Sequence, residues 1–150
     1  MRKLIIGLAL VAGCSSGGTM RGNPAPLVPS NDTGALNPDA AVNQFMAAVK
    51  AEDLQAMGAI WGTPDGPARD QMSQDVLQQR ELIMLCYLKH DSYKILGDAP
   101  SMDNTRALSV DVTRKERTHA TTFTAVRGKN GRWYVEAVDI QPLTDFCAKG

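Results

Sequence analysis

Apolar residues recur along this chain with two periods, and the period changes once, near Ser92. Before that point the spacing is helical. Val42, Phe45, Met46 and Val49 fall three and four residues apart, which gathers them on one side of a 3.6-residue helix. Asn37-Pro38-Asp39 precedes them and reads as a helix start. Asn offers a side-chain acceptor at the N-cap, Pro has the φ that the first helical position needs, and Asp faces the positive end of the helix dipole. Glu52-Asp53 interrupts the pattern, and Leu54, Met57, Ile60 and Trp61 continue it as a second, short helix. Residues 62–67 read Gly-Thr-Pro-Asp-Gly-Pro, a loop by composition. A longer helix is predicted over 70–89. Met72, Val76, Ile83 and Tyr87 form its apolar stripe, with Leu77, Met84 and Leu88 beside it.

After Ser92 the period is two. A short strand covers 93–96, and Leu108, Val110 and Val112 alternate with Ser109, Asp111 and Thr113. Two further strands cover 120–126 and 132–140, joined by the hairpin signal Gly128-Lys129-Asn130-Gly131. If Lys115-Glu116-Arg117 is the preceding loop, Val112 faces Ala120 and Val110 faces Thr122. A four-residue second loop then sets Val126 opposite Trp133. In that register Leu108, Val110, Val112, Ala120, Thr122, Thr124, Val126, Trp133, Val135 and Ala137 share the face that meets the helices. The other face carries Asp111, His119, Thr121, Phe123, Tyr134, Glu136 and Val138. Helices followed by an antiparallel meander is an α+β order, with N-terminal helices packed on a curved sheet.

The N-terminus has a separate logic. Arg2 and Lys3 precede an apolar run over 4–11. A run of about ten residues reaches only ~15 Å as a helix, half the hydrocarbon thickness of a bilayer, so it suits a secretion signal rather than a stable span. Leu10-Val11-Ala12-Gly13-Cys14 resembles the lipobox of bacterial lipoproteins. The resemblance implies a signal peptide over 1–13, cleavage before Cys14 and acylation of its thiol, so that membrane lipid holds the chain through Cys14. Ser15 is the following residue that the family shows in lipoproteins sent to the outer membrane, facing the periplasm. Residues 14–37 are rich in Ser, Gly and Pro and lack apolar periodicity, as a flexible tether would be. Its reach as a random coil is roughly 25 Å. Residues 38–150 form one α+β domain.

With a formal net charge of zero and dispersed cations, no basic footprint is present, which argues against nucleic acid as a partner. The two histidines have no clustered carboxylates at metal-ligand spacing, and no cofactor motif occurs. His119 and Asp111 share a face in the register above. They read either as an acid–base pair or as an exposed edge histidine near an unrelated acid. In an oxidising envelope Cys86 and Cys147 are expected to pair. Two buried free thiols, or one thiol beside His90, are the alternatives.

The helix over 40–51 running into Glu52-Asp53-Leu54-Gln55-Ala56-Met57, and the strand start Gly131-Arg132-Trp133-Tyr134-Val135, resemble the nuclear-transport-factor-two-like superfamily. The resemblance implies a cone of curved sheet around a long helix, with any pocket between the sheet's concave face and the helices. That cone hosts isomerases, dehydratases, hydrolases, transport factors and secretion scaffolds, so fold leaves function open. Val110, Thr122, Thr124, Trp133 and Val135 are the candidate pocket residues. The expected function is a non-catalytic envelope lipoprotein that binds a small apolar ligand or a protein partner. One alternative is an isomerase or cyclase of the ketosteroid-isomerase type using Asp111 or His119. Another is an interaction module in an envelope assembly. Members often dimerise through the outer sheet face, which here would present Phe123, Tyr134, Val138 and Ile140 to a second copy.

Overall fold

The computed structural model describes residues 33–102 and 104–148. Cys14, the expected signal peptide and most of the tether lie outside the described residues. The first helix, α1 (Pro38–Ala51), starts where Asn37 accepts the Ala40 N–H at 2.8 Å. It stops at Glu52, which adopts left-handed backbone at φ 55° and returns its N–H to the last turn. One residue later Asp53 accepts the Ala56 N–H at 3.0 Å and caps α2 (Leu54–Ile60). The Glu52-Asp53 interruption is therefore a corner, with a helix stop followed directly by a helix start.

Residues 62–67 form a miniature ribbon rather than an irregular loop: β1 (Gly62–Thr63) pairs with β2 (Gly66–Pro67). The ribbon requires glycine at 62. A Cβ there would lie 2.3 Å from the Gly66 carbonyl oxygen and 3.0 Å from the Tyr134 ring. A short 3-10 turn, Ala68–Asp70, leads on, and α3 (Gln74–Leu88) begins later than its sequence suggested. No helix among the described residues is long and apolar enough to cross a membrane.

Four antiparallel strands follow in sequence order: β3 (Ser92–Pro100), β4 (Thr105–Arg114), β5 (Arg117–Arg127) and β6 (Trp133–Val138). The fold is α+β. The turn between β4 and β5 corrects the expected register. Lys115 and Glu116 both sit in left-handed backbone, at φ 48° and 65°, and close a two-residue hairpin between Arg114 and Arg117. One residue fewer in the loop turns every β5 side chain over. Val112 pairs with His119 and Val110 with Thr121. Ala120 and Thr122 are exposed, whereas Thr121, Phe123 and Ala125 are buried. The β5–β6 loop holds five residues, so Arg127 lies opposite Trp133 and Val126 opposite Tyr134. A bulge at Glu136 then shifts the pairing between Ala125–Val135 and Thr124–Ala137.

The core forms where α1 lies on the sheet. Val42, Phe45, Met46 and Val49 meet Leu108, Val110, Val112, Phe123 and Val135. The rings of Phe45 and Phe123 meet edge-on with centroids 6.4 Å apart. Behind β6, Tyr134 is fully buried. Its hydroxyl accepts from Asn130 Nδ2 at 2.8 Å and lies 3.1 Å from Thr33 Oγ1. Ala35 and Trp133 exchange two backbone hydrogen bonds of 2.8 Å, which pairs part of the β6 edge.

Candidate functional site

The five expected pocket residues do not converge. Val110 and Val135 are core residues beneath α1, whereas Thr122 is exposed on the opposite face of the sheet. Thr124 and Trp133 are half-buried, Thr124 on the Thr122 side of β5. The cause is the β5 register, which carries Thr122 and Thr124 away from the helices. The expected apolar outer face is corrected too, at Phe123 by the same register and at Tyr134 because the backbone at Gly34, Gly62 and Gly128 covers its ring. Phe123 and Tyr134 are fully buried, and the outward side of β4 and β5 carries Ser109, Asp111, Thr113, Thr118, Ala120 and Thr122.

Asp111 and His119 are not brought together. Asp111 pairs with Ala120 and Lys94, and His119 pairs with Val112, so they project to opposite faces. His119 does turn towards the helix side, but it meets the chain's C-terminal segment there instead of a cavity. Its Nε2 donates to Asp145 Oδ2 at 3.0 Å, and its ring lies 5.1 Å from that of Phe146. Arg117 reaches the same carboxylate oxygen at 2.8 Å. The His119 hydrogen bond, reinforced by the positive charge of Arg117, holds the Asp145 carboxyl below the ordinary range. These residues belong to a clasp on α4 (Thr144–Cys147). Leu143 and Phe146 are buried, Arg114 donates to the Phe146 carbonyl, and Cys86 and Cys147 are joined by a disulfide. No group of His, Cys, Asp or Glu among the described residues could hold a metal ion.

The unusual surface belongs to α3. Its sequence suggested a stripe of Met72, Val76, Ile83 and Tyr87 with Leu77, Met84 and Leu88 beside it; of the first set Tyr87 packs against the core, but Val76 is 42 % exposed and Ile83 56 %. The inward stripe is Leu77, Glu81, Met84 and Leu88. Leu82, 52 % exposed, borders a shallow groove with Val49, Leu85 and Cys86, lined also by Glu52 and Lys89, which pair at 2.6 Å. The groove holds about 210 Å³ and is open to solvent. Pockets that enclose small molecules run to ~300–1,000 Å³.

Beneath this surface lies a group that hydropathy did not single out. Glu81 is 2 % exposed, and its Oε1 has no hydrogen-bond partner. Burial, with the nearby charge of Asp53, pushes its carboxyl up to about 7. It abuts Gly58 on α2, where a Cβ would lie 2.9 Å from Oε1. Its sequence signal was a gap: Leu77, Met84 and Leu88 keep helical spacing, and the missing inward member is residue 81. His90, just past α3, is buried as well. It shares a 2.9 Å hydrogen bond between Nδ1 and the Leu88 carbonyl, and burial pushes its imidazole down. The chain matches no protein-family model and no curated protein.

Proposed function

We propose that this chain is a bacterial envelope lipoprotein, anchored through acylated Cys14 and probing its surroundings with a non-catalytic domain that docks a protein partner along α3. The observation that carries the docking reading is the outward placement of Val76, Leu82 and Ile83 on one helix, beside a groove too small and open for an enclosed ligand. The polar outward side of β4 and β5 favours α3 over the sheet as the contact. The finer fold reading is a reduced cone of the nuclear-transport-factor-two-like type, in which α1 is the long helix cradled by the sheet. The lipobox at 10–14 and the tether after it support an outer-membrane anchor facing the periplasm. An isomerase or cyclase reading draws no support from Asp111 and His119, which project to opposite faces.

The test is site-specific photo-crosslinking in intact cells, with the reactive residue at Ile83 in one variant and at Thr122 in another. A discrete protein adduct from position 83 and none from 122 supports the reading. Equal labelling from both positions, or none from 83, overturns it. Mass spectrometry of the mature N-terminus tests the anchor separately, because a first residue other than acylated Cys14 removes it.

A further inference from the structure

We propose that α3 is a proton-held latch: the proton on Glu81 keeps the N-terminal half of α3 seated on α2, and losing it releases that half while the Cys86–Cys147 bond retains the other.

The two halves of α3 are held very differently. The first half buries only Leu77 and Glu81 and exposes Val76, with Leu82 and Ile83 exposed just beyond its end. Ser73 precedes it but makes no side-chain capping bond. The second half buries Leu88 and packs Met84, Leu85 and Tyr87 against the core. There the disulfide to Cys147, the Arg114 bond to the Cys86 carbonyl at 3.4 Å and the Lys89–Glu52 pair add further ties. Half of what seats the first half is therefore one carboxyl group.

That carboxyl has no compensation for a negative charge. Its Oε1 rests on the bare Gly58 backbone and beside the Leu77 side chain, where a Cβ on residue 58 would come within 3.1 Å of Leu77 Cδ2. The charged groups on the elements packed around it do not neutralise it. On α2 the only one is the capping Asp53, which would repel the ionised form. The adjoining 3-10 turn brings Arg69 and Asp70, which face each other at 3.9 Å and are exposed. The end of α1 brings Lys50, which donates to the Asp91 carbonyl, and Glu52, held by Lys89. On α3 itself Asp75 and Arg80 are exposed. A buried carboxylate without a partner is strongly disfavoured, so ionisation favours whichever arrangement returns it to water. Moving the weakly held half outwards does that and disturbs little else. The upward displacement of Glu81 to about 7 agrees with this geometry and puts the transition near neutral pH.

The direction is fixed by linkage. A carboxyl raised in the seated state stabilises that state fully below its free value of 4.5, and loses that contribution as pH rises through about 7. Between pH 5.5 and 8.5 the opening equilibrium should rise on the order of thirtyfold for this displacement. His90, at the far end of α3, titrates with the opposite sign and cannot produce this rise.

Hydrogen exchange of the full-length protein, corrected for intrinsic rates, reads the latch directly. Wild type should lose protection over 74–82 on the order of thirtyfold from pH 5.5 to 8.5, with 84–88 and α1 unchanged. Glu81→Met and Glu81→Gln should abolish that pH dependence. A wild-type change below threefold, the same change in Glu81→Met, or a loss spread evenly over α1 and the sheet each overturns the proposal. Should the variants fail to fold, the wild-type exchange profile is read together with a carbon-13 titration of its Glu81 carboxyl. Loss of protection over 74–82 that follows a carboxyl midpoint near 7 supports the latch; a midpoint below 5.5, or a midpoint near 7 without that loss, overturns it.

Discussion

The C-terminal clasp is where the stability of this domain is most exposed to a single chemical change. Cys86 and Cys147 are 61 residues apart in sequence, so their bond closes a long loop in the unfolded chain. In the chain-entropy account a loop of this length contributes about 4 kcal/mol. Domains of this size are stable by only ~5–15 kcal/mol in total, so the bond is a large share. The Cys86→Ala, Cys147→Ala double variant leaves the tail's other contacts intact: Leu143 and Phe146 buried, Asp145 between His119 and Arg117, and Arg114 on the Phe146 carbonyl. It therefore isolates the crosslink from the packing. In urea unfolding, with a slope of ~1.5 kcal/mol/M for a small domain, the midpoint should fall by about 2–3 M. Reduced wild type should match the double variant. A loss below about 1 kcal/mol would refute the reasoning, because the tail would then be held by packing and ion pairs and the unfolded chain would gain little freedom. A large loss with a clearly smaller slope would locate the effect in residual structure of the unfolded state instead.

Two further outcomes check the register and the second buried titratable group. Phe123→Ala should cost roughly 3–5 kcal/mol because the ring is fully buried against Phe45, whereas Thr122→Ala, one residue away and exposed, should stay within about 0.5 kcal/mol; similar effects of both would put the β5 register in error. His90→Phe should flatten the acid side of a plot of melting temperature against pH. Burial lowers the imidazole below its free value of 6.5, so its contribution is whole above 6.5 and is lost as pH falls below that value. Parallel wild-type and variant curves between pH 7 and 5 would count against this assignment.

Most of the α-helical part was legible, because its signals are local. Asn37-Pro38-Asp39 marked the start of α1, and the Glu52-Asp53 step marked the corner into α2. The sheet's existence and its three major strands were equally clear from alternation. What failed was counting. A loop read as Lys115-Glu116-Arg117 is a two-residue turn in which neither central residue is glycine, asparagine or aspartate, so its left-handed backbone carried no compositional signal. That single residue inverted β5. It sent Thr122 and Thr124 out, brought His119 and Phe123 in, and dissolved the expected pocket; the expected dimer face lost Phe123 to this inversion and Tyr134 to the cover of Gly34, Gly62 and Gly128. The bulge at Glu136 was equally silent, since bulges depend on tertiary fit rather than local composition. The ribbon over 62–67 was hidden because strands of two residues have no period to detect.

The orientation of α3 is hidden in the sequence for a different physical reason. The helix carries two apolar stripes of identical spacing, one residue apart: Val76, Arg80, Ile83, Tyr87 and Leu77, Glu81, Met84, Leu88. Each has one charged member at its second position. Whichever stripe turns inward must bury that charge, so hydropathy cannot choose between them. Chemistry can. Arginine does not release its proton in proteins, and burying Arg80 would demand a matched anion in the core. Glutamate can be buried as a neutral acid. At pH 7, raising its carboxyl from 4.5 to about 7 costs about 3 kcal/mol, less than an unpaired buried guanidinium would. The fold accordingly turns the glutamate stripe inward and leaves Val76 and Ile83 in solvent. The exposed apolar face and the buried acid are thus one choice with two consequences. A partner that covers Val76 and Ile83 would bind the seated form of α3, and binding the seated form must raise the affinity of Glu81 for its proton.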